Sequence, residues 1–246
     1  MKRFLTFLKV EGTLGLRIPD GLIFGIGMPM GVMLLIAVIG GDKIAGTGNL
    51  TFLQSGFASL LTVGICATAF MGIPLTIVNL RDKKILKHFF VTPASPILIL
   101  LVQVCIAMIT AIVSALLVAL VAILGFDYQM EGDILLFIGG YFLVMLSMYS
   151  VGMVIASVCK TVKIANLVTT FVYFPMLFLS GATIPYELFP KVIQNISDVL
   201  PLTHGIKVLK EISMGNVSEQ IWISILLLVI FIVVGSILSI VLFKWE

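Results

Sequence analysis

Of the chain's 246 residues, 60% are apolar and 11% charged, about half the charged fraction of a soluble domain, and the mean hydropathy is +1.22. This composition excludes a water-soluble globular protein and places the chain in a bilayer. The net charge of +3 is small and scattered, which excludes the clustered basic footprint of a nucleic-acid-binding protein.

The N-terminal stretch reads MKRFLTFLKVEGTLGLRIPD. Lys9, Glu11 and Arg17 interrupt it, so it lacks the continuous apolar core of a cleaved signal peptide. Lys2, Thr6, Lys9 and Thr13 recur at three and four residues, away from Phe4, Phe7, Leu8 and Leu14. Two readings fit residues 2–18: an amphipathic helix on the membrane surface, or a solvated tail.

Six apolar runs follow, at about 21–40, 53–78, 97–125, 134–158, 164–182 and 221–243, and none contains Lys, Arg, Asp or Glu. A crossing helix needs ~20 residues. Backbone in lipid must satisfy its own hydrogen bonds, so six transmembrane helices in a single membrane domain, 1–246, are the economical all-α reading. The run 97–125 exceeds a perpendicular crossing and tilts or protrudes. Gly21, Gly25, Gly27 and Gly31 give the first run small-residue spacings for close helix approach, within the chain or between copies, and Pro29 favours a kink there. Cys66, Cys105 and Cys159 show no paired spacing and read as packing residues, with neither a disulfide framework nor a metal site.

Positive charge sets the orientation. Lys2, Arg3, Lys9, Arg17, Arg81, Lys83, Lys84, Lys87, Lys160, Lys163 and Lys244 fall on one side; Lys43, Lys191, Lys207 and Lys210 fall on the other. The excess places both termini and the loop 79–96 in the cytoplasm, and the segment 183–212 outside.

Energy for transport is not encoded in this stretch of chain. The sole Lys-Thr pair, Lys160-Thr161, is preceded by Cys159 rather than by a glycine-rich phosphate loop. No ionisable residue lies at mid-membrane, which argues against a proton-coupled carrier. His88 and His204 are far apart in the sequence and are assigned to loops, so no catalytic constellation forms.

Two loops hold the remaining signals. NLRDKKILKHFFVTPASP is a dense polar run carrying Ile85 and Leu86, a surface that a protein can grip; it equally serves to fix topology. Between the fifth and sixth runs, Leu188, Phe189, Val192, Ile193, Ile196 and Leu200 share a helical face opposite Glu187, Lys191, Gln194, Asn195 and Asp198. A helix over 186–199 would be ~21 Å long, short of the ~30 Å hydrocarbon core. Pro201 is expected to end it, with a second helical turn over 205–212. It forms either a re-entrant pair dipping into the outer leaflet or an interfacial anchor.

Together these stretches resemble the permease subunits of type-2 ABC exporters, a family of bacterial drug, antibiotic-resistance and polysaccharide exporters. The resemblance is carried by Arg81, Asp82, Pro93 and Ser95, and by Ser180, Gly181, Pro185, Pro190, Pro201, Leu202, Thr203 and His204. It implies a multi-pass plasma-membrane protein that is not itself an enzyme. A separate ATPase subunit would carry ATP and Mg, with no cofactor in this chain, and a second permease copy or a homologous permease would complete the assembly. Arg81, Asp82, Lys83, Lys84, Ile85, Leu86 and His88 would form the coupling helix. Pro185, Phe189, Pro190, Ile193, Pro201 and His204 would cap the outer mouth.

Asn166, Thr169, Thr170 and Tyr173, at three and four residues along the fifth run, are candidates for lining the pathway; helix-to-helix hydrogen bonding gives the same pattern. A hydrophobic or amphipathic compound (drug, antibiotic or peptide) is the expected cargo. Lipid or glycan-carrier export, or a non-transporting immunity or sensor role, are the alternatives.

Overall fold

The computed structural model describes residues 2–16, 23–40, 52–85, 96–184, 186–216 and 218–243, all of whose regular structure is helical. Five helical stretches are long and apolar enough to cross a membrane: Gly56–Asp82, Ile97–Phe126, Ile134–Val158, Val162–Leu179 and Ile221–Leu242. The first apolar run, expected over about 21–40, is helical over 23–40, with Gly25–Leu35 a shorter apolar helix among the described residues; residues 17–22 and 41–51 lie outside them.

α1 (Lys2–Leu16) docks along α5 (Pro96–Phe126). Phe4, Phe7, Leu8 and Glu11 are half-buried, while Thr6, Lys9 and Thr13 are exposed. The Gln103 side-chain amide donates to Glu11 Oε2 at 2.9 Å. Of the two readings of this segment, helix or solvated tail, residues 2–16 form a helix, and it packs on α5.

α2 (Met28–Gly40) continues from a π turn, Ile23–Gly27; α3 (Phe52–Ala67) continues through a second π turn, Thr68–Gly72, into α4 (Ile73–Asp82). Each π turn ends two residues before a proline, Pro29 and Pro74. Proline lacks an N–H, and its ring crowds the carbonyl four residues back. Those carbonyls belong to Gly25 and Phe70, inside the π turns, where the wider winding relieves the crowding. Thr68 Oγ1 further ties its turn to Gly64 O (3.1 Å), to Ile65 O (3.0 Å) and to the Tyr149 hydroxyl (3.0 Å).

The α3–α4 rod is the centre of the bundle. Most of its span is buried, whereas those of α5 and α10 (Ile221–Leu242) are largely exposed, as expected for one helix apolar all round and others facing lipid. α6 (Ile134–Val158) is capped by the Asp133 carboxylate, which accepts from Leu135 N at 2.7 Å and Leu136 N at 3.2 Å. It packs against α10, α9 (Pro201–Ser213) and α4 through small residues that permit close backbone approach. A Cβ on Gly152 would fall on the Ala69 carbonyl oxygen of the second π turn. A Cβ on Gly205 would lie 2.7 Å from Val144 Cγ1. Ser150 Oγ donates to Phe231 O (2.9 Å) and Ser157 Oγ to Ser239 O (3.0 Å), stitching α6 to α10. Gly25 packs inside the chain near Thr110 and Thr68, and Gly31 faces open space.

α7 (Val162–Leu179) ends at Ser180, and Gly181 turns the chain with φ of +92°, a conformation that favours glycine. A short 3-10 turn, Tyr186–Leu188, then α8 (Lys191–Ser197) and α9 (Pro201–Ser213) lead to α10. Two expectations are corrected. The single helix over 186–199 is two short pieces, and Pro201 opens a helix rather than closing one. Its fixed φ and missing N–H suit the first helical position, where no intrahelical donor is needed. His204, assigned to a loop, is buried inside α9.

Candidate functional site

At one end of the bundle, α4 brings Arg81 onto the stripe of Ile73 and Ile77, four residues apart and buried like them. Its guanidinium donates to Ala156 O at 3.0 Å and to Cys159 O, at the end of α6, and lies 5.9 Å from the centre of the Phe243 ring that follows α10. Arg81 therefore clamps three helix ends. Asp82, Lys83 and Lys84 beyond it are exposed and Ile85 is half-buried; Lys84 turns the chain with φ of +57°. Leu86 and His88 lie outside the described residues. The polar run thus divides into one bracing residue and an exposed charged tip.

Within the bundle, α7 separates the four pathway candidates. Thr169 and Tyr173 are buried, Thr169 Oγ1 donating to Asn166 O at 3.1 Å and the Tyr173 hydroxyl lacking a hydrogen-bond partner among the described residues. Asn166 and Thr170 are exposed, alongside Leu167, Phe171, Phe174 and Phe178. This second set forms a face of α7 that the chain itself leaves uncovered.

At the opposite end, α9 lies against α6, α10 and α3. Leu202, Ile206, Val208, Leu209 and Ile212 are buried, and His204 bridges the cap to α10. Its Nδ1 is 3.1 Å from Ser224 Oγ and its Nε2 is 2.8 Å from Asp198 O. Of the other cap residues, Phe189 and Ile193 are half-buried, Pro190 is exposed, Pro201 is buried, and Pro185 lies outside the described residues. Lys207 Nζ pairs with Asp198 at 2.7 Å and lies 4.2 Å from the centre of the Tyr186 ring; Lys210 Nζ pairs with Glu187 at 2.5 Å. Partial burial alone would raise both carboxyls. The hydrogen bonds from the lysines, reinforced by their charge, outweigh it and hold Glu187 and Asp198 below their usual range.

These groups surround a cavity of about 790 Å³. Its wall includes Ser59, Ser180, Thr203 and Ser224, residues the sequence reading did not single out as a site. The hydroxyls come from α3, the end of α7, α9 and α10 and converge only in the fold. The amphipathic register of α9, with Leu202, Ile206 and Leu209 on one side and Lys207 and Lys210 on another, was the available signal. Among the described residues no group of His, Cys, Asp and Glu is arranged to hold a metal.

Comparison with known proteins follows the same lines. The family described as ABC-2 type transporter matches residues 3–214. Nodulation protein J of Neorhizobium galegae is 27% identical over 248 residues, covering 99% of this chain and 90% of its own. The probable multidrug ABC transporter permease YbhR of Escherichia coli (strain K12) is 26% identical over 181 residues, 73% of this chain and 48% of its own. The inner membrane transport permease YhhJ of the same organism is 26% identical over 144 residues, 58% of this chain and 38% of its own.

Proposed function

Because the chain belongs to the ABC-2 type transporter family as a permease subunit, we propose that it exports a hydrophobic or amphipathic compound with force supplied by a separate ATPase subunit. The observation that carries this reading is the division of the polar run. Arg81 is locked to α6 and Phe243, while Asp82, Lys83 and Lys84 project from its end. A docking tip mounted on the central rod is suited to transmit a push into the bundle. Ile85, Leu86 and His88 complete the proposed coupling segment, and α1, held along α5, offers a second support on the same side. ATP and Mg belong to the partner.

The uncovered face of α7, with Asn166 and Thr170 among phenylalanines, borders the pathway in this reading, against a second copy of the permease or a homologous one. Thr169 and Tyr173 are assigned to the interior behind it. α8 and α9 close the outer mouth, with Phe189, Ile193, Pro201 and His204 setting their geometry. Coupling energies between distant sites are typically ~1–3 kcal/mol, so the docking tip shares its work among several side chains.

The test keeps Arg81 and replaces residues 82–88 with a Gly/Ser linker of equal length. The expected outcome is a permease with an unchanged thermal midpoint that no longer co-purifies with its ATPase and no longer moves cargo on ATP addition. Normal ATP-driven transport by this variant would refute the assignment.

A further inference from the structure

The cavity beneath the cap has walls of three kinds. Toward the bundle lie hydroxyls, of which Ser59 donates to Gly181 O and Ser224 meets His204. Ser180 and Thr203 are different: they are 0% and 1% exposed, and neither hydroxyl has a hydrogen-bond partner among the described residues. A buried polar group left unpaired destabilises a fold, so two on the wall of one cavity mark a place built to satisfy something else. At the rim, Lys207 with Asp198 and Lys210 with Glu187 neutralise each other. A charged ligand would have to break one of these pairs; a neutral one would not. The third wall is apolar, formed by Ile206, Met214, Ile223 and Leu227. Ile223 and Leu227 belong to α10, whose neighbouring residues Trp222 and Leu226 face outward. The cavity therefore offers hydrogen bonds to a head and an apolar flank to a tail. Its volume of about 790 Å³ falls within the ~300–1,000 Å³ typical of small-molecule sites.

We propose that this cavity binds the uncharged, hydroxyl- or amide-bearing head of an amphiphile, with the Ser180 and Thr203 hydroxyls as its hydrogen-bond partners and Ile223 and Leu227 along its apolar body. The head is supplied by a membrane lipid or by the transported compound. The site goes beyond the exporter reading and does not depend on ATP coupling.

Trp222, beside Ile223, provides the readout. The full chain, carrying Trp245→Phe so that Trp222 alone reports, is placed in phosphatidylcholine nanodiscs and titrated with hexyl glucoside below its micellar concentration. Hexyl phosphate and hexyltrimethylammonium serve as charged heads on the same tail. The expected result is a saturable change in Trp222 emission with hexyl glucoside, weakened about tenfold by Ser180→Ala and by Thr203→Val, the loss of one hydrogen bond each.

Thr203→Ser, which keeps the hydroxyl, restores binding. If the hydroxyls are packing features only, both deletions keep the native affinity and the thermal midpoint stays or rises, which overturns the proposal. Non-saturable partitioning, or equal binding of the charged heads, also overturns it. To separate the two sources, lipid extracted from the chain purified from native membranes is analysed by mass spectrometry. A neutral-headed lipid held by the native chain and lost from the double variant assigns the site to lipid. Saturable hexyl glucoside binding with no such lipid assigns it to cargo.

Discussion

Arg81 shows how one residue type supports two different readings. In the linear sequence it opens a basic run and counts toward topology; in the fold it shares the buried stripe of Ile73 and Ile77 and donates to two backbone carbonyls at the end of α6. The four-residue spacing was legible in the sequence. The carbonyls it reaches, 75 and more residues away, were not, because helix-end acceptors have no side-chain signature. Arg81→Ala removes charge-assisted hydrogen bonds worth ~1.5–3 kcal/mol each at most and leaves carbonyls unpaired. A loss on the order of 3 kcal/mol is expected, read as a lowered thermal midpoint in detergent, whereas a change within about 0.5 kcal/mol, the range of ordinary surface substitutions, would show that the clamp is not structural. At the other end, Gly205→Ala places a Cβ 2.7 Å from Val144 Cγ1, so α9 must shift from α6. Overpacking of this kind costs ~1–3 kcal/mol; a melting curve matching that of the native chain would show that the cap tolerates separation.

Among the elements, the long apolar helices were the most legible, since membrane solvent leaves little choice but helix for runs of that length. The helices Ile134–Val158 and Ile221–Leu242 follow directly from where charge stops and starts. The segment after α7 was harder because its prolines admit opposite readings: Pro201 could be read as ending what precedes it, but α8 already ends at Ser197 and Pro201 starts α9. The exposed Leu188, Val192, Ile196 and Val199 show that the apolar side of 186–199 faces away from the other described helices, while the better-buried helix is α9. The π turns had a partial signal in Pro29 and Pro74, but their winding depends on the helices packed around them.

The cap also carries a pH response. Glu187 and Asp198 have depressed values in the folded state relative to the usual 4.5 and 3.8. A carboxyl of this kind stabilises the fold above its usual value and loses that contribution as pH falls through the depressed one. Both groups are substantially exposed, so solvent screening keeps the effect small. The prediction is that hydrogen-exchange protection in α8 and in the first turn of α9, taken relative to the intrinsic amide exchange rate at each pH, falls below about pH 4 and is flat from pH 6 to 8. Lys207→Gln combined with Lys210→Gln removes that acid dependence; retention of it in the double variant would place the titrating groups elsewhere.

For the whole molecule, helices crossing in alternate directions put Arg81, Cys159 and Phe243 at one end and Ser59, Gly181 and α9 at the other. The membrane-spanning, all-helical character and the permease family were legible from hydropathy and from two short stretches of residues. The cavity beside α9 was not, because its hydroxyls are individually ordinary and come from four helices. In the proposed function this chain is a conduit that depends on a second subunit for energy. Its most direct test is ATP-dependent accumulation of a labelled amphipathic compound in proteoliposomes containing the chain alone, the chain with its ATPase, and the chain with an ATPase unable to hydrolyse ATP. Uphill accumulation should occur only with the competent ATPase. Equal accumulation by the chain alone, or with the inactive ATPase, would contradict the account.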